Sequence, residues 1–76
     1  MEINCICFGD EVVGWSNGSS LHWRKLNGEG YLEYTGFANS ADFLTLFNDV
    51  WVAGGKDKKI VYLRLNWESN CVEVLN

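Results

Sequence analysis

The chain has 76 residues, ten acidic against six Lys and Arg side chains, and no proline, so it has room for one domain, residues 1–76, with a net charge of −4. That charge repels phosphate backbones and anionic lipid heads, which sets nucleic acid and membranes aside as favoured partners. Three cysteines, an odd number, argue against a closed disulfide framework, and the first residues lack the basic start and apolar run of a secretion signal; a reducing, cytoplasmic setting is expected.

The first half reads as an antiparallel β-meander of three to four strands. Glu2 to Phe8 is rich in Ile and Cys and predicts a strand, followed by turn residues at Gly9-Asp10. Glu11 to Ser16 predicts a second strand, although the first two could be one longer, bulged strand. Asn17-Gly18 is a strong signal for a type I′ hairpin turn, whose two central residues need positive φ. Ser20 to Leu26 and Tyr31 to Phe37 follow as strands on either side of the turn Asn27-Gly28-Glu29-Gly30.

A central helix is expected over about 40–53. Asn39 or Ser40 caps it, and Asp42 suits the positive end of the helix dipole. Phe43, Leu46, Phe47 and Val50 fall at i, i+3, i+4 and i+7, the stripe of an amphipathic helix. Gly54-Gly55 ends it. Lys59 to Trp67 alternates Val61, Leu63, Leu65 and Trp67 with Ile60, Tyr62, Arg64 and Asn66, and Cys71 to Leu75 returns as the second arm of a C-terminal β-hairpin. The expected fold class is therefore α+β, one helix packed on one face of an antiparallel sheet. Since one helix covers one face, the other face is either polar or a docking surface.

No enzyme motif is present. His22, the only histidine, sits between Leu21 and Trp23, and the serines stand where turns and caps want hydroxyls. Cys5-x-Cys7 places two thiols on one side of a strand roughly 6.5–7 Å apart, which suits neither a disulfide nor a tight zinc hairpin. Cys71 and His22 could complete a four-ligand set, but the spacing disfavours it, so no metal or cofactor is expected. Gly28-x-Gly30 precedes a strand rather than a helix and cradles no phosphate.

Four tryptophans exceed what a helix-on-sheet core needs. Trp15, Trp23, Arg24, Tyr62 and Arg64 are the expected partner-binding residues, because exposed Trp, Tyr and Arg form the anchors of protein interfaces. The expected function is stoichiometric binding to another protein or protein complex without catalysis. Small acidic domains of this kind suit inhibitor roles: antitoxin, immunity, or counter-defence on a phage or mobile element, anti-CRISPR proteins among them. The same patch could close a homodimer. The rival readings are a nucleic-acid or nucleotide-binding sheet using Trp23, Arg24, Tyr62 and Arg64, and a small Cys-His metal site.

Overall fold

The computed structural model describes residues 3–76, so the expected strand start at Glu2 lies outside the described residues. The described residues are all-β, with eight strands in two antiparallel four-stranded sheets. The first sheet is a meander of β1 (Cys5–Gly9), β2 (Val12–Asn17), β3 (Ser20–Lys25) and β4 (Tyr31–Tyr34). The second repeats that order with β5 (Ala41–Phe47), β6 (Val50–Gly55), β7 (Ile60–Asn66) and β8 (Cys71–Val74). The sheets stack face to face in a body of 31 × 29 × 19 Å, the short dimension being what two layers about 10 Å apart and their outer side chains require.

The expected α+β class is thus overturned, and the helix over 40–53 with it. That segment is a β-hairpin: β5 and β6 pair from Ala41↔Gly55 to Phe47↔Val50, with an irregularity between Ala41 and Phe43. Asn48 and Asp49 form its two-residue turn with φ of 48° and 67°, the pair of positive values a type I′ turn requires. The i, i+3, i+4, i+7 pattern misleads for a physical reason. Leu44 and Leu46 turn toward the first sheet while Phe43 and Phe47 turn away from it. A strand apolar on both faces loses its period of two, and its residues then satisfy a helical template by accident.

The hairpin between β2 and β3 forms one residue later than Asn17-Gly18 predicts. Asn17 pairs with Ser20, so Gly18 and Ser19 are the central residues. Gly18 has φ +63°, and no positive φ falls on Ser19, which is the type II′ arrangement with Gly first rather than type I′. β1 and β2 are separate strands joined by a tight turn at Asp10-Glu11, not one bulged strand.

The core lies between the sheets. Val12, Leu21, Trp23 and Leu32 enter from the first, and Leu44, Trp51, Ala53, Val61 and Leu63 from the second; Phe37 reaches in from the connection. Trp23 is fully enclosed and meets Trp51 edge to face, ring centroids 5.9 Å apart. Opposite Trp23, across the β2–β3 pair, stands Gly14. A Cβ there would come within 2.8 Å of the indole, so the missing side chain makes room for the ring. The connection between the sheets, residues 35–40, is pinned at its middle and where it enters β5. The Ala41 amide donates to the Gly18 carbonyl at 2.8 Å, and the Ala38 amide donates to Asp57 Oδ2 at 2.8 Å. No helix among the described residues is long and apolar enough to cross a membrane.

Candidate functional site

Stacking two sheets buries one face of each and leaves two bare faces, one on either side of the molecule. Strand alternation fixes what each bare face presents. On the first sheet, pairing sets Ile6, Trp15, His22 and Glu33 in one row and Phe8, Val13, Arg24 and Tyr31 in the next. On the second, the rows are Phe43, Gly54 and Ile60; Thr45, Val52, Tyr62 and Leu75; and Phe47, Val50, Arg64 and Glu73. Phe8 is 66 % exposed and Phe47 70 %, and Ile6 and Ile60 are each more than half exposed.

The first bare face carries an ordered aromatic column. Trp15 stacks on His22 across the β2–β3 pair, centroids 5.4 Å apart. His22 stacks diagonally on Tyr31 at 5.9 Å, and the Arg24 guanidinium lies 5.5 Å from the Tyr31 ring centre. These are the cross-strand and diagonal neighbours a twisted sheet brings within reach. Desolvation, and then the charge of Glu33, raise the Tyr31 hydroxyl above its ordinary pKa, with Arg24 acting in the opposite direction.

Hydrogen bonds run along this column and decide what chemistry it supports. Ser20 Oγ lies 2.8 Å from His22 Nε2, and His22 Nδ1 lies 2.6 Å from the Tyr31 hydroxyl. Distances alone resemble a nucleophile, a base and an orienting group. However, Ser20 donates its proton to the Asn17 carbonyl at 2.9 Å. With the serine proton directed at that carbonyl, Nε2–H donates to the serine and Nδ1 accepts from Tyr31. In that tautomer His22 has no lone pair directed at Ser20 and does not act as its base. The network ties Ser20, His22 and Tyr31 together across the face.

The five residues expected to bind a partner fall in three places. Trp15 and Arg24 share the first bare face. Tyr62 and Arg64 lie on the second, on the far side of the molecule. Trp23 has no exposed surface and belongs to the core, so it is removed from the docking set. Of the other indoles, Trp51 is buried and Trp67 is partly covered, with Lys25 Nζ 5.0 Å from its ring centre. A single basic and aromatic stripe from Trp23, Arg24, Tyr62 and Arg64 does not exist, because β3 and β7 lie in different sheets. In the aromatic column His22 is stacked between Trp15 and Tyr31, which leaves fewer open ring faces than a base-stacking platform offers.

The residues that sequence reasoning missed are aliphatic and phenyl groups: Ile6, Phe8, Phe43, Phe47 and Ile60. Their signal was present as apolar residues at consecutive strand positions, which a strand with one wet face does not need.

The cysteines do not converge with His22. Cys5 and Cys7 point between the sheets, Cys5 Sγ lying 3.2 Å from Ser16 Oγ, while His22 is on the opposite side of the same sheet. Burial raises the Cys7 thiol above its ordinary pKa. Among the described residues no group of three or more His, Cys, Asp or Glu is placed to hold a metal ion. A cleft of about 220 Å³ opens beside Asp10, Asp49, Trp51 and Trp67, below the roughly 300 Å³ where small-molecule sites begin. No family model, curated protein or solved structure matches the chain.

Proposed function

We propose that this chain is a non-catalytic protein-binding domain that docks through its bare sheet faces, in a cytoplasmic setting. The observation that carries the reading is that both outer faces are apolar. Ile6, Phe8, Val13 and Trp15 cluster on one; Phe43, Phe47, Val52 and Ile60 cluster on the other. Leaving such groups in water costs about 25 cal/mol per Å² of apolar surface, a free energy that a partner recovers. Aromatic rings held in place by mutual stacking lose little freedom on docking, which favours their use as anchors. Ser20 gives its proton to a backbone carbonyl, which supports binding over catalysis. Three free thiols are compatible with a reducing compartment.

The test is site-specific photocrosslinking in producing cells, with p-benzoylphenylalanine in place of Phe8 and, separately, Phe47. Discrete protein adducts at both positions are expected, and the same probe at exposed Lys56 in the β6–β7 loop should give none. Absence of protein adducts at both face positions overturns the reading.

A further inference from the structure

The partner on these faces can be named from the relation between the two sheets; the inference rests on the docking reading above and specifies its occupant. Each sheet begins with a hairpin closed by a two-residue turn, with terminal pairs Gly9↔Val12 and Phe47↔Val50. Counting back from those pairs, Cys5, Cys7 and Gly9 correspond to Phe43, Thr45 and Phe47. Ile6 and Phe8 correspond to Leu44 and Leu46. The pairing partners agree: Ile6↔Trp15 answers to Leu44↔Ala53, and Phe8↔Val13 to Leu46↔Trp51. In the third strands, Gly14↔Trp23 answers to Val52↔Tyr62.

Equivalent residues face opposite ways with respect to the interface. Cys5, Cys7 and Trp23 point at the second sheet, but Phe43, Thr45 and Tyr62 point away from the first. Ile6 and Phe8 are 56 % and 66 % exposed, whereas their counterparts turn inward and Leu44 is 7 % exposed. Two sheets related by a two-fold axis would set equivalent residues toward each other. Here the bare face of the second sheet corresponds to the packed face of the first, and the bare face of the first to the packed face of the second. Equivalent strands also lie over one another, β1 on β5 and β4 on β8. The operation is therefore head to tail, and nothing within the chain closes it.

We infer that a second copy of this chain continues the stack, its first sheet's bare face seated on the second sheet's bare face, and that further copies close a ring. Radial arrays of four-stranded sheets close at roughly four to eight sheets, or about two to four chains. Area supports this occupant. Phe43, Phe47, Ile60, Tyr62 and Leu75 are each at least 42 % exposed. At roughly 150–250 Å² per large side chain they present on the order of 500 Å² of apolar surface. A standard interface takes about 800 Å² per partner, about 65 % of it apolar when the subunits are identical, which is a similar amount. Charge agrees. The rows of each bare face hold one arginine and one glutamate, Arg24 with Glu33 and Arg64 with Glu73. The charges in these rows balance within each face, so the chain's net negative charge is not concentrated where copies would meet.

The experiment is native mass by light scattering at micromolar concentration, with circular dichroism as the folding control. The parent chain is expected as a discrete assembly of two to four copies that does not grow with concentration. Phe8→Glu spoils one face and Phe47→Glu the other, so each variant alone is expected as a monomer. Mixed in equal amounts, the two form a dimer that stops, because each retains the face the other has lost. Ile6→Lys and Ile60→Lys repeat the design should either glutamate variant fail to fold. A monomeric parent overturns the inference, as does open-ended growth. So does a variant that self-associates while the mixture yields no new species, for that is a two-fold interface. A monomeric parent whose Phe8 and Phe47 probes still crosslink to a different protein leaves the docking reading in place and removes only the second copy.

Discussion

Replacing Gly14 by alanine tests the placement of Trp23 in the core. Gly14 does not have positive φ, so its backbone accepts an L-residue. Propensity alone then favours alanine by about 0.5–1 kcal/mol, since glycine within a strand loses more backbone entropy on folding. Sterics oppose it. The new methyl would lie 2.8 Å from both Cδ1 and Nε1 of Trp23 and 3.0 Å from a Leu44 methyl, against about 3.5–4.0 Å for a relaxed carbon contact. The indole has little room to retreat, with Trp51 against it and Leu32 paired beside it. Overpacking of this kind costs about 1–3 kcal/mol. The net effect centres on a loss of about 1 kcal/mol, or a fall of roughly 4–8 °C in Tm for a chain this small. Thermal unfolding at fixed protein concentration reads it. In a Trp23→Leu background the penalty shrinks, because the ring that the methyl strikes is gone. Gly14→Ala with a Tm equal to or above the parent's refutes the packing of Trp23 against β2.

Three further outcomes are expected. Trp51→Ala costs about 3–5 kcal/mol in urea unfolding, as loss of an enclosed ring does, whereas Trp15→Ala costs about 1 kcal/mol, the worth of a stack at the surface. The amide of Ala38, followed by the side chain of Asn39, holds the Asp57 carboxyl below its ordinary pKa. A depressed pKa means that the stabilisation is present above the unfolded value, near pH 4, and is lost as pH falls through the folded value. The Tm deficit of Asp57→Ala is therefore present at pH 7 and narrows below about pH 4. A deficit unchanged at pH 3 would show that the carboxylate does not hold the connection between the sheets. Finally, a neutral-pH thiol reagent modifies exposed Cys71 first and Cys7 last, since burial raises the Cys7 thiol and lowers its thiolate fraction. Mass mapping of partly labelled protein orders the three sites, and Cys7 labelled before Cys71 contradicts the placement.

Some features were legible in the residues because they depend on short-range chemistry. Gly18 signals a hairpin since few other residues accept its positive φ. The alternation from Ile60 to Asn66 signals a strand, and the turn after Asn66 its return. The absence of nucleophile and metal motifs also needs no tertiary information to notice. The hairpin at Asn48-Asp49 was illegible for the opposite reason. Its flanking strands are apolar on both sides, and a pattern without a wet face carries no period to distinguish strand from helix. The candidate site suffered similarly. Which of Trp15 and Trp23 reaches the surface was not legible, and Phe8 and Phe47 were hidden among apolar neighbours that looked like core.

The sequence by itself determined an acidic chain, dense in aromatic side chains, with a hairpin around Gly18 and another at its end. Those properties follow from composition and from dihedral preferences within a few residues. Only the tertiary structure decided that Trp23 is enclosed, that Arg24 and Arg64 lie on opposite sides, and that equivalent residues of the two sheets face in opposite senses. Which side of a strand is covered depends on the layer packed against it, and that layer is brought there by residues distant in the chain.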